Sequence, residues 1–90
     1  MKLRGIVDLL PFLAMLRQRK THFFIEQYRD DSLTVTFTII QYRVEVDFFI
    51  DHVEYSYFVG NEDVLMREDV LKAFVEQDYD ALERLGVRMA

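Results

Sequence analysis

The chain carries two histidines (His22 and His52), two serines (Ser32 and Ser56), sixteen carboxylate side chains and no cysteine. A serine nucleophile needs a base held beside it, and no histidine adjoins either serine. The histidines are expected at opposite ends of a sheet, which leaves no two-histidine metal site. Glu26 and Asp47 fall on either side of Thr36 across neighbouring strands. Paired carboxylates can work as acid and base or hold a divalent cation. Two strands apart, however, they stand about 10 Å from each other at the backbone. The three glycines are scattered and form no phosphate-cradling loop. The lack of cysteine removes thiolate chemistry and disulfides. No catalytic residue, cofactor or metal is therefore expected. A metal-dependent enzyme using Glu26 or Asp47 is the weaker alternative.

Periodicity gives the elements that position these groups. Leu9, Phe12, Leu13 and Leu16 recur at helical spacing. This predicts a helix over 9–20, with Asp8 as N-cap and Pro11 in the first turn, where its missing N–H costs little. From Thr21 the period becomes two, and ten of the thirteen aromatics lie between Phe23 and Phe58. Four strands follow, about 22–29, 33–40, 43–50 and 53–59. A loop at Asp51-His52 would set Val44, Val46, Phe48 and Ile50 against Val59, Tyr57, Tyr55 and Val53. A loop at Gln41-Tyr42 would set Leu33, Val35, Phe37 and Ile39 against Ile50, Phe48, Val46 and Val44. Gln-Tyr suits a tight turn poorly, so a four-residue loop in the same register is the alternative. Both pairings select the same apolar face of the third strand, and a one-residue slip would reverse it. A loop at Asp30-Asp31-Ser32 puts Phe23, Ile25 and Gln27 on the core face. The rival register would put Phe24, Glu26 and Tyr28 there and bury Glu26. After Gly60 helical spacing returns: Val70, Leu71, Phe74 and Val75 predict a helix over 67–77. A short helix over 79–85 follows, capped by Asp78 and stopped by Gly86.

The expected fold is α+β: a single domain over 1–90 in the order α-β-β-β-β-α-α. An N-terminal helix and one or two C-terminal helices pack on one face of a four-stranded antiparallel meander. Lys2, Arg4 and the apolar run Ile6–Leu16 have the look of a secretory start. Asp8 and the basic group Arg17-Gln18-Arg19-Lys20 oppose that reading, and the run is too short to span a bilayer. A cytoplasmic protein without stable membrane insertion is expected. Sixteen acidic against eleven basic residues give a net charge of −5, which disfavours general phosphate-backbone binding. The charge is polarised. Residues 1–20 carry five basic and one acidic group, whereas 45–80 carry two basic and eleven acidic.

The face opposite the core points to function. Its expected rows are Phe24-Thr38-Glu45-Phe58, Glu26-Thr36-Asp47-Ser56 and Tyr28-Thr34-Phe49-Glu54. No lysine occurs on any strand, although lysine is a usual guard against strand pairing. Three occupants are open: the chain's own terminal segments, a second copy, or a basic partner protein. The expected activity is non-catalytic protein binding, in its most concrete form inhibition of the immunity or antitoxin kind. Phe24, Tyr28, Phe49 and Phe58 would anchor the partner, and Glu45, Asp47 and Glu54 would select its cations. A homodimeric structural or regulatory subunit is the runner-up.

Three segments, Arg29-Asp30-Asp31-Ser32-Leu33-Thr34-Val35, Arg43-Val44-Glu45-Val46-Asp47-Phe48-Phe49 and Val53-Glu54-Tyr55-Ser56-Tyr57-Phe58, resemble a group of small, largely uncharacterised bacterial proteins. These share a helix followed by an antiparallel meander, an R-D-D turn and an E-V-x-F-F strand. The resemblance spans about 22–65 and implies that fold and a bacterial origin. It implies no activity. Such proteins usually place a glycine in the third hairpin turn, where this chain has Asp51-His52.

Overall fold

The computed structural model describes residues 1–88. A 3-10 turn over Ile6–Asp8 leads into α1 (Leu9–Gln18). Five strands follow: β1 (Phe23–Arg29), β2 (Ser32–Ile39), β3 (Tyr42–Phe49), β4 (Val53–Val59) and β5 (Glu62–Leu65). Helices α2 (Glu68–Glu76) and α3 (Tyr79–Arg84) close the chain. The strands form one antiparallel meander in the order β1-β2-β3-β4-β5.

The strand count of four is corrected to five. Gly60, at φ 63, takes the left-handed turn conformation that glycine allows. The chain then folds back so that Glu62 faces Val59 and Leu65 faces Ser56. The segment Glu-Asp-Val-Leu is too short and too acidic to announce a strand by alternation.

The turns also sit one residue earlier than expected. The β2–β3 turn is Ile40-Gln41, so Ile39 pairs with Tyr42 and Val35 with Val46. The β3–β4 turn is Ile50-Asp51, closed by the bond from Phe49 N–H to the His52 carbonyl, and Val44 pairs with Tyr57. In β1, Phe23 pairs with Phe37 and Ile25 with Val35, and a bulge follows Glu26. Each correction is a slip of two residues against the expected partner. It changes every partner and, outside the β1 bulge, no face, because side chains alternate with period two. Ile50 is lost from the core: it lies in the turn, 81% exposed.

The core draws alternate strand residues, Val35, Phe37, Ile39, Tyr42, Val44, Val46 and Phe48, into one cluster with the buried helix residues. From the helices come Phe12, Leu13 and Leu16, then Val70, Leu71, Phe74 and Val75, then Leu82. Phe12 meets Phe48 at 5.5 Å between ring centroids, and Phe74 meets Tyr57 at 5.3 Å. Tyr42 donates its hydroxyl to the Arg88 carbonyl.

Two caps differ in outcome. Asp78 accepts from Ala81 N–H at 3.1 Å and caps α3 as expected. Asp8 stands at the N-cap of α1 but makes no capping bond. Its carboxylate instead accepts from the backbone N–H and the guanidinium of Arg4. Those bonds hold its pKa down at about 2 and tie down the turn before the helix.

Candidate functional site

None of Ser32, Thr34, Thr36, Glu45, Asp47 and Phe49 belongs to the core cluster. By alternation these residues share the opposite face of the sheet. Its true rows follow from the registers. Glu26, Thr34, Asp47 and Glu54 lie side by side across four strands. Phe24, Thr36, Glu45, Ser56 and Leu65 form the next row. Thr38, Arg43, Phe58 and Asp63 form a third. The sheet thus brings Glu26, Asp47 and Glu54 into a single row, where the expected registers put Glu26 and Asp47 in one row and Glu54 in the next.

Short residues sit beneath long ones on this face. Thr34 and Thr36 are buried between flanking side chains, and the Thr34 hydroxyl donates to Asp47. Glu45 is half-shielded. Burial raises its pKa first; Arg43 opposes the rise, and the charges of Asp47, Asp63 and Glu26 add to it. Tyr28 donates its hydroxyl to Glu26 at 2.6 Å, and the neighbouring carboxylate raises the phenol's pKa.

The four expected anchors divide into two kinds. Phe24 and Tyr28, on β1, are exposed at 58% and 65%. Phe49 is buried at 6%, outside the main core. The His52 ring stacks on it at 4.3 Å and nearly parallel, and the Arg29 guanidinium lies 5.2 Å from its centroid. Phe58 carries the Arg43 guanidinium at 4.0 Å. These arginines in turn meet acids: Arg29 with Asp31 at 3.2 Å and Arg43 with Glu45 at 3.3 Å. His52 is bound by Asp51 at 2.8 Å and Glu54 at 3.0 Å, which raises its pKa.

The sequence reading missed both arginines. Arg43 shares the alternation of Glu45 and Asp47, so its place on this face was readable from spacing. Arg29 was not: strict alternation puts it with Phe23 and Ile25, and the bulge turns it over.

Acid–base chemistry finds no convergent set. His22 lines a cleft of about 330 Å³ with Lys20, Thr21, Thr38 and Gln77, and neither Glu26 nor Asp47 reaches it. Among the described residues, no three His, Asp or Glu side chains converge as metal ligands. Also among them, no helix is long and apolar enough to cross a membrane. No family model matches the chain, and neither a curated protein nor a solved structure matches it.

Proposed function

We propose that this chain is a protein-binding domain whose outer sheet face receives a basic partner. The row Glu26-Thr34-Asp47-Glu54 carries the reading. Asp47 and Glu54 stand directly opposite each other with Glu26 beyond Thr34, and repulsion from Asp47 and Glu26 reaches Glu45 one row away. A cationic surface laid across them relieves that repulsion, and this differential energy is what drives association. Exposed Phe24 and Tyr28 supply apolar contact at the β1 side, as aromatic anchors do in protein interfaces. Phe49 and Phe58 act from beneath: they hold the arginines and His52 that frame the acidic row. A face-to-face pairing of two copies would set acid against acid and is disfavoured on the same ground.

A partner that is itself a nucleic-acid-binding protein has the required basic surface. Covering that surface would block it, which is the logic of an inhibitor of the immunity or antitoxin kind. The test compares affinity capture by the native chain with capture by the combined variant Glu45→Gln, Asp47→Asn, Glu54→Gln. The native chain should retain a basic protein, less strongly as salt rises, and the variant should lose it. Equal capture by both would remove the acidic row from the interface.

A further inference from the structure

Strand β1 is an edge, and its seven residues are almost wholly exposed. The opposite edge, β5, is four residues long and carries Glu62 and Asp63. Short length and charge are the usual protections of an edge. β1 has neither in the same degree. Phe24, Ile25 and Tyr28 are exposed on it, and no lysine or proline interrupts it.

The backbone of this edge can be oriented from one hydrogen bond. Phe49 N–H bonds to His52, so Phe49 directs its backbone groups towards β4. Direction alternates residue by residue in an antiparallel ladder. Val44 and Val46 therefore bond β2, Thr34 and Thr36 bond β1, and Glu26 and Phe24 bond β2 in return. Phe23 and Ile25 are left with N–H and C=O groups aimed outward from the sheet.

A two-fold copy of the strand can meet this edge with matched faces about Glu26, Ile25 or Phe24. An axis at Glu26 sets two carboxylates against each other, which destabilises a cross-strand pair. An axis at Ile25 sets Phe24 against Glu26. An axis at Phe24 sets Phe24 against its own copy, Phe23 against Ile25 twice, and His22 against Glu26 twice. Only this last pairing matches apolar with apolar along the strand and sets Glu26 against a hydrogen-bonding ring, that of His22 just before it. It also uses the outward groups of Phe23 and Ile25 reciprocally.

We infer that a second copy of this chain is the occupant of the β1 edge, joined antiparallel about Phe24 into a continuous ten-stranded sheet. The two-fold consumes both β1 edges and leaves only the acidic β5 edges, so the assembly closes as a dimer and does not extend into a fibre. The outer faces stay open, and the dimer presents two acidic rows side by side. This edge shares Phe24 and Glu26 with the partner surface proposed above, and Ile25, which faces away from the acidic row, is the residue that tells the two apart.

Sedimentation equilibrium from micromolar to millimolar chain should give twice the 10.8 kDa chain mass. Ile25→Pro removes an outward N–H and leaves the bonds to β2, as an edge proline should. It should raise the dimer dissociation constant by at least about tenfold. Phe24→Cys, in a chain otherwise free of cysteine, should cross-link on mild oxidation. Directly opposed residues in a non-hydrogen-bonded pair stand about 4.5 Å apart at Cα, within disulfide reach. Asp47→Cys should not cross-link. Amide spectra check that Ile25→Pro stays folded. If it does not, Phe24→Lys, which changes one exposed side chain, gives the same reading. A monomer at millimolar concentration, a dimer indifferent to the folded edge variant, or cross-linking at Asp47→Cys in preference to Phe24→Cys would overturn the inference. Partner capture that persists in Ile25→Pro separates the two surfaces.

Discussion

Ile40 is a β-branched residue held in the left-handed region. It opens the β2–β3 turn at φ 56, a left-handed conformation that a β-branched side chain adopts only at a cost. Lys20 and Gln77 share that conformation at φ 57 and 54, but each ends a helix. There Thr21 N–H bonds to the Leu16 carbonyl, and Asp78 N–H to Ala73, as in a glycine-type cap. Ile40 is 56% exposed, so little burial offsets its strain. Ile40→Gly should therefore stabilise the protein by about 1 kcal/mol, read as a higher urea midpoint at unchanged slope. A lower midpoint would assign that turn's order to the Ile40 side chain. His52 makes a second prediction. Its bonds to Asp51 and Glu54 favour the imidazolium, so its pKa is raised. Their contribution to stability is complete below about pH 6.5, the unfolded value. It is lost as pH rises through the folded value. NMR should show His52 titrating above about pH 6.5, the ordinary histidine value, and His52→Ala should flatten stability over about pH 6–8. Residue spacing showed the aromatics of this face but not their cationic covers. A guanidinium over a ring across strands depends on the register and, for Arg29, on a bulge.

At the scale of elements, faces were legible and partners were not. Val35, Phe37, Val44, Val46 and Phe48 declare the core face through alternation, and any even slip preserves it. The partner is chosen by the turn, and turn chemistry was ambiguous: Ile40-Gln41 and Ile50-Asp51 contain no glycine or asparagine to mark them. Helix limits were nearer the mark, because Asp78 and Gly86 bracket α3 with specific backbone chemistry. Nothing in the sequence linked the N-terminal segment to the β3–β4 turn, yet the two meet at Gly5. A Cβ there would lie 2.6 Å from the Ile50 carbonyl oxygen and 3.0 Å from that of Phe49. Both are backbone atoms, so neither can swing aside. Gly5→Ala should destabilise the protein by about 1–3 kcal/mol and raise hydrogen exchange first in the β3–β4 turn. Uniform stability and exchange would show that the segment lifts off freely.

Over the whole molecule, the net charge of −5 divides between a basic N-terminal stretch and an acidic span over 45–80. That polarity was plain in the sequence. Glu26 and Asp47 were also readable as one row, because equal slips in two registers cancel; the joining of Glu54 to that row was not, because the β3–β4 register slips alone against it. The alignment gives salt two opposite effects. In the free protein, burial raises the pKa of Glu45 first, Arg43 opposes it, and the like charges of Asp47, Asp63 and Glu26 add to the rise. A carboxyl with a raised folded pKa favours the folded state more below that pKa and loses this advantage as pH rises through it. Ionised Glu45 is therefore a cost at neutral pH. Added salt screens the like charges around it, so the unfolding midpoint of the isolated protein should rise with ionic strength. Association with a basic partner depends on the same charges and should weaken over the same range. Glu45→Gln should raise the midpoint at low salt and reduce its salt dependence, while weakening partner capture. The outer ion pairs Arg29–Asp31 and Arg43–Glu45 push the other way, since salt screens attractions too. Arg29–Asp31 is exposed at both ends, so solvent blunts it, and Arg43 is a single attraction on Glu45 set against the repulsions of Asp47, Asp63 and Glu26. Repulsion within the row should therefore decide the sign. A midpoint that falls with salt would show that the exposed pairs outweigh the row, and the electrostatic basis for a basic partner would fall with it.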